Sequence, residues 1–522
     1  MKHTLFTIFL LSVLNTNAQH TNIRISNVGS PNEPSICINP KNPRYIVAGA
    51  NLNNVYNSSD TGRTWTLKNL SSSYGVWGDP TILVDTANSF YFFHLSNPAS
   101  GSWIDRIVSQ KSVDNGSTWS NGTYTGLNGT KAQDKQWGVV DRKRNNIYLT
   151  WTQFDSYGSS SPADSSHILF SKSLDGGTTW SQAKRIDKKG GDCIDSDNTV
   201  EGAVPALGPL GQLYVSWAGT EGLYFTKSNN GGNSWSNPKS VSTIGGGWDY
   251  TIPGLGRSNG LPITDCDRCT NSPYKGTIYI NWSDQRNGIN NTDIWLLKST
   301  NGGRTWSAPI RVNNDNSNRH QFLTWMTVDQ STGYLWFVFY DRRNTLGNAT
   351  DVYMARSTDG GNTFTNFKIS EQSFTPNSFV FFGDYTNITA HNNIVRPIWT
   401  RTDGSTNSVY TALVNTGIIT NEPAGNAAIS TENEIETNQY PNPFTEVAYV
   451  SFKIKAKSQV SVLLYDASGK LVATPMLNKT YDYGKYVEPI DFTKLSVSEG
   501  TYFIHLKIND SIKKIQATYM KQ

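Results

Sequence analysis

Carboxylates and guanidiniums are the residues here whose types and spacing suit chemistry on a polar substrate. Glu33 (in Asn-Glu-Pro-Ser), Asp79 (in Gly-Asp-Pro-Thr) and Asp384 (in Gly-Asp-Tyr-Thr) recur in similar surroundings far apart in the chain, and Asp134 and Glu201 fall at comparable places. A second group comprises Asp284 and Arg286 in Trp-Ser-Asp-Gln-Arg, Asp341, Arg342 and Arg343 in Phe-Tyr-Asp-Arg-Arg, and Arg401 shortly after Trp399. Two carboxylates across a narrow cleft divide acid and base work in glycoside cleavage, and arginines clamp a sugar carboxylate through paired N–H donors. Trp77, Trp103, Trp137, Trp325 and Tyr340 offer faces for sugar rings. A plainer reading stays open beside this one. Acids that open strands can bond to neighbouring backbone N–H groups, and Asp-x-Arg pairs can close salt bridges between sheets.

What must position these residues is a repeat. Six segments, 58–65, 112–119, 173–180, 228–235, 299–306 and 357–364, share Ser-x-Asp/Asn-x-Gly-x-Thr/Ser-Trp/Phe. Their acid or amide positions are Asp60, Asp114, Asp175, Asn230, Asn301 and Asp359, spaced from 54 residues (Asp60 to Asp114) to 71 (Asn230 to Asn301). Each interval is the length of one four-stranded blade with its loops. The motif's chemistry is structural: the acid or amide accepts from the turn backbone, Gly supplies a left-handed φ, and the hydroxyl ties down the strand exit. The closing aromatic packs between neighbouring sheets.

Between the repeats lie short inner strands at 34–38, 80–84, 137–140, 203–207, 261–264, 325–328 and 385–389, each followed by an aromatic-rich strand or its equivalent. Inner strands thus number seven against six repeats. The last set lacks an outer strand, and Ile23-Arg24-Ile25-Ser26 looks like the strands that follow the repeats at 310–313 and 367–370. The sequence therefore predicts that residues near 22–28 close a ring and leave no free sheet edge.

The repeat resembles the Asp-box (bacterial neuraminidase repeat) family of sialidases and related propellers. The expected fold is all-β: a seven-bladed propeller, with six blades as the alternative because sialidases of this family resemble six-bladed rings. A small β-sandwich follows. Repeats mark one face of the ring; the mouth of the central channel, with the acidic and arginine residues, belongs to the other.

The resemblance implies a Tyr nucleophile assisted by Glu, a separate acid–base Asp and three arginines on the substrate carboxylate. On that reading Asp79, Glu201, Asp384 and Tyr340 are the catalytic candidates. Arg286, Arg342, Arg401, Glu33, Asp284, Asp341, Trp137 and Trp325 are the candidate substrate contacts. One departure stands out: the family's Phe/Tyr-Arg-Ile-Pro motif is absent near the N-terminus, and Arg24 falls on the expected outer strand. The function expected is an exported, sialidase-like glycoside hydrolase acting on an acidic glycan. A non-catalytic glycan-binding protein or adhesin is the alternative. A polysaccharide lyase, with a His or Tyr as base and His94, His320 and His391 as the available histidines, is a further one.

The domain plan places an export signal at 1–18, the propeller at 19–416, a polar linker at 417–438 and the sandwich at 439–522. The signal rests on Lys2, the apolar stretch 5–14 and the small-residue site at Asn17-Ala18. In the tail, Tyr440-Pro-Asn-Pro-Phe444, Tyr-Asp-Ala-Ser-Gly-Lys at 465–470 and Glu-Gly-Thr-Tyr-Phe at 499–503 resemble the C-terminal sorting domain of the type IX secretion system of Bacteroidetes. That resemblance implies secretion machinery as a partner and a secreted or cell-surface location; a sandwich with no sorting role is the alternative. The net charge of +4 with no basic run argues against nucleic acid, and no long apolar segment suits a membrane span. Cys37, Cys193, Cys266 and Cys269 allow three disulfide connectivities or free thiols. Cys266-Asp-Arg-Cys269 is half a zinc site without its second half. No cofactor is expected; structural calcium is left open.

Overall fold

The computed structural model describes residues 20–418 and, in the tail, 438–521 except 441–442, 455–456, 468, 483 and 510. The expected export signal and nearly all of the expected linker lie outside the described residues. The chain divides into two compact units at Gly425/Asn426.

In the first unit the repeats act as predicted. Ser173 Oγ donates to Asp175 Oδ1 (2.8 Å) and accepts from the Gly177 N–H (2.8 Å). Asp175 Oδ1 accepts from the N–H groups of Thr178 and Thr179, and Oδ2 accepts from the Thr179 hydroxyl at 2.6 Å. Gly177 has φ +82°, and a Cβ there would meet the Tyr91 ring of the preceding sheet at 3.2 Å. Asp60, Asp114 and Asp359 make the same loop, and Asn230 and Asn301 an amide version of it.

A basic residue just ahead of the repeat serine ties sheet to sheet. Lys172 Nζ donates to the Gly231 carbonyl (2.9 Å), Lys227 to Gly302 (2.6 Å) and Lys298 to Gly360 (3.1 Å), each in the next repeat. These bonds satisfy turn carbonyls that the tight loop leaves without strand partners.

Seven four-stranded antiparallel sheets result. Their inner strands are Ser35–Ile38 (blade I), Gly78–Val84 (II), Ala132–Asp141 (III), Glu201–Leu207 (IV), Ile263–Cys266 (V), Gln321–Val328 (VI) and Asn387–His391 (VII). Successive inner strands pack side by side, and that of VII packs on that of I, so the sheets form a closed ring. Thr21–Ser26 pairs antiparallel with Thr406–Leu413 as the fourth strand of blade VII. Closure is reinforced where Arg396 Nε of blade VII donates to the Thr61 carbonyl in the first repeat (2.8 Å). The second strands bury the largest side chains: Trp151, Trp217, Trp282, Trp336 and Trp399 have under 2 % exposure.

The second unit is a β-sandwich. A three-stranded sheet (Asn438–Tyr440, Val447–Ile454, Gly484–Asp491) and a four-stranded sheet (Leu471–Tyr481, Ser458–Asp466, Gly500–Ile508, Ser511–Tyr519) share one core, with Phe452, Ile490, Val462 and Ile504 among its members. All four cysteines are free thiols, so the disulfide alternative is not realised, and no metal-binding cluster occurs among the described residues.

Candidate active site

The mouth of the channel is built by irregularities at the starts of the inner strands. In blades II, III, IV and VI the pairing with the second strand slips near the first residues. The residue at each slip is left-handed: Asp79 (φ 52°), Lys135 (51°), Gly202 (73°) and Leu323 (48°). Glu33, just ahead of the blade I strand, has φ 51°. A bulge of this kind re-aims a side chain out of the strand's alternation, and each such non-glycine residue costs about 1–3 kcal/mol. Here it turns side chains toward the channel axis.

Lys135 is the centre of the arrangement. Its Nζ lies 3.0 Å from Asp384, 3.3 Å from Asp79 and 4.0 Å from both Glu33 and Asp134, with the side chain only 7 % exposed. A second cation, Arg257, bridges Asp384 (2.6 Å) and Asp195 (3.2 Å). Polar neighbours fix the carboxylates. The Asn51 amide donates to Glu33 and accepts the Asp79 N–H, the Asp384 N–H donates to Glu33 (3.0 Å), and the Tyr157 hydroxyl donates to Asp195 (2.7 Å).

Six acids therefore face two bases, and their protonation divides. Burial first, then the Asp79 charge, pushes Glu33 well up. Burial and then Asp195 do the same to Glu201, whose two carboxyl oxygens meet no hydrogen-bond donor. Asp134 is raised to about 7, chiefly by burial, against the pull of Lys135. At Asp384 burial is outweighed by Lys135 and Arg257, and at Asp195 chiefly by Arg257, so both are held below the usual carboxylate range. Protonated and ionised carboxyls thus stand side by side, the division that acid–base chemistry needs.

The floor is aromatic. Trp137 of blade III meets Trp325 of blade VI at 4.3 Å between ring centroids, and Tyr385 of blade VII lies 4.9 Å from Trp137. Blades III and VI stand on opposite sides of the ring, so their contact fills the axis at this level. Above it a cavity of about 320 Å³ is lined by Glu33, Asp79, Asp134, Lys135, Arg257 and Asp384 and walled by Trp77, Trp103, Tyr157 and Phe381. Trp77 and Trp103 pack edge to face (5.9 Å), and each keeps over a third of its surface exposed.

Of the residues singled out in sequence, Glu33, Asp79, Asp134, Glu201, Asp384, Trp137 and Trp325 converge on the mouth. The others do not. Tyr340 is wholly buried among Phe322, Phe374 and Phe382, and its hydroxyl donates to the Thr400 carbonyl (2.8 Å) and accepts the Thr400 N–H (3.0 Å). A nucleophile cannot be sealed in this way. Arg342 is buried over the Phe322 ring with its guanidinium on Thr350 and the Pro253 carbonyl. Arg286 is paired with Asp284 and lies over Trp295, Asp341 is paired with Arg343, and Arg401 with Asp403. None of these lines the mouth cavity, so the expected arginine clamp is not assembled there. Their adjacency to the second strands misled: alternation along a strand sends consecutive side chains to opposite faces.

Sequence reasoning missed Lys135, Asp195 and Arg257. Lys135 adjoins Asp134, and regular strand alternation would point the two to opposite faces; the bulge brings them together. Arg257 comes from a small hairpin, Asp249–Tyr250 with Ser258–Asn259, inside the longest interval between repeats. That surplus length was the available signal.

Residues 438–518 match the family model described as a secretion system C-terminal sorting domain. No curated protein is similar to the chain at a significant level. Solved structures similar to it include a Hadza microbial sialidase, Hz136 (15 % identity over 72 % of this chain and 74 % of that one, TM-score 0.41). Another is the NanB sialidase from Streptococcus pneumoniae (10 % identity, 72 % and 84 %, TM-score 0.44). A third is the ulvan lyase of polysaccharide lyase family PL25 (12 % identity, 74 % and 92 %, TM-score 0.44). No helix among the described residues is long and apolar enough to cross a membrane. With its sorting domain at 438–518, the chain is exported to the cell surface or released from it.

Proposed function

We propose that this exported protein is a glycoside hydrolase whose active site is the mouth cavity of the propeller. The observation that carries the reading is the meeting of Asp134 and Asp79 in one aromatic-walled cavity, with Asp134 raised to about 7. Their side chains are 10 % and 9 % exposed, against 1 % for Asp384 and 2 % for Glu33, so these two are the carboxyls that a bound sugar reaches. Asp134 gives its proton to the glycosidic oxygen as the C–O bond breaks. Asp79 faces the positive charge that develops on the sugar, and water completes the hydrolysis. Lys135 holds the two acids in place; Glu201, sealed behind them, is a positioning residue.

An acidic glycan was expected because of an arginine clamp. With those arginines engaged elsewhere and six acids against two bases at the mouth, a neutral or amino-bearing sugar suits the cavity better. The lyase alternative loses its histidine bases, since none of His94, His320 and His391 lines the mouth cavity. The non-catalytic reading keeps one specific support, since Lys135 and Arg257 tie the mouth acids into a network that also serves to join blades.

Turnover by the purified chain, measured on a panel of neutral, amino and acidic glycosides, separates these readings. Asp134→Asn is expected to lower kcat by about 10²–10⁴-fold, assayed at a temperature where circular dichroism shows the variant folded. Wild-type activity is expected to fall as pH rises through about 7, where Asp134 loses its proton. Saturable glycan binding with no turnover on any class would overturn the hydrolase reading in favour of a lectin.

A further inference from the structure

The opposite end of the channel carries chemistry of another sign. Beneath the Trp137–Trp325 contact, inner-strand residues of all seven blades enclose about 230 Å³ of channel, and Arg142 and Arg268 line it. The same two arginines line an adjoining pocket of about 180 Å³ with Lys143, Arg144, Lys275 and Asp141. Five cationic side chains meet one carboxylate there, and that carboxylate is already paired with Arg144 at 2.9 Å.

Neither central guanidinium is satisfied. Arg268 Nε is buried without a partner, and Arg142, partly buried, feels Cys37 and Asp85 only at a distance. The carboxylates close enough to act on them are committed elsewhere. Asp85 accepts from Ala87, Ser89 and Tyr91, and Asp265 accepts the N–H groups of Cys266 and Val328. Arg142 and Arg268 come from blades III and V and sense each other's charge across the gap. Asp265 also lines the channel and offsets part of the Arg268 charge, but it forms no ion pair with either guanidinium, and an anion shared between the two arginines satisfies both.

We propose that this end of the channel is an oxyanion site in which Arg142 and Arg268 together bind a sulfate or phosphate group. The tetrahedral anion accepts paired N–H bonds from both guanidiniums, and Lys143 and Lys275 raise its local concentration. The site is independent of the hydrolase reading of the mouth, from which the aromatic floor divides it.

Calorimetric titration of the full chain with inorganic sulfate, inorganic phosphate, galactose 6-sulfate and galactose tests this. Saturable binding of at least one anion with one site per chain is expected, with none of galactose. Arg142→Met and Arg268→Met are each expected to weaken it at least tenfold. If either methionine variant fails to fold, Arg142→Lys and Arg268→Lys keep the charge but lose the paired donors, and a clear weakening is still expected. Preference for galactose 6-sulfate over free sulfate identifies a sulfate ester of a glycan as the ligand; equal binding identifies the free ion. Absence of saturable binding, or unchanged affinity in the variants, overturns the proposal.

Discussion

Lys135 holds its charge among four acids because each of them lowers the cost of burying it, and it does the same for them. Removing one partner of such a network leaves uncompensated buried charge, which costs about 3–5 kcal/mol. Lys135→Met is therefore expected to lower the melting temperature strongly at pH 8. Acid should restore part of it. With the cation gone, burial pushes Glu33 and Asp134 further up and Asp384 loses the main charge that holds it down, so the folded state gains protons and stability as pH falls toward about 4. Melting curves of wild type and variant between pH 4 and 8 check this; a constant difference across the range would mean that Lys135 matters for packing alone. This is also the residue that reading the sequence could least reveal, since its direction depends on a bulge and its partners come from three other segments.

Elements were far more legible than contacts. The repeat turn is local, with every bond spanning two to four residues, so its pattern survives in the sequence as fixed spacing. The same locality sets its pH behaviour. The Thr118 hydroxyl, together with neighbouring N–H groups, holds Asp114 at about 2, and Thr179 does the same for Asp175. A folded pKa below the unfolded value of about 3.9 contributes stability that is complete above that value and lost as pH falls toward 2. Asp114→Asn with Asp175→Asn imitates Asn230 and Asn301. It is expected to leave stability at pH 7 within about 1 kcal/mol and to flatten the acid limb of unfolding between pH 4 and 2, as followed by circular dichroism. The mouth carboxylates, by contrast, were legible only as a set: recurrence at strand starts located Glu33, Asp79 and Asp384, whereas Tyr340 and Arg342 carried no sign of the neighbours that bury them.

At the level of the whole molecule, the ring is held shut by the strand Thr21–Ser26. Thr21–Ser26 covers the edge that Thr406–Leu413 otherwise presents, and an uncovered edge strand is a template for association. A chain beginning at residue 27 is expected to melt at a lower temperature and to form oligomers on size-exclusion chromatography, where the longer chain elutes as a single species. The number of sheets followed from counting inner strands, because each had its own hydrophobic run; their convergence could not follow, since it depends on the diameter of the closed ring.

The aromatic contact across the axis makes the propeller two separate bowls rather than a tube. A polymer cannot be threaded from one face to the other, so under the proposed function a saccharide in the upper bowl must back out the way it came. Each encounter then admits a chain end or a side branch, and release requires the product to let go before the next segment arrives. An anion in the lower bowl never crosses its path, and the two faces answer to different surroundings.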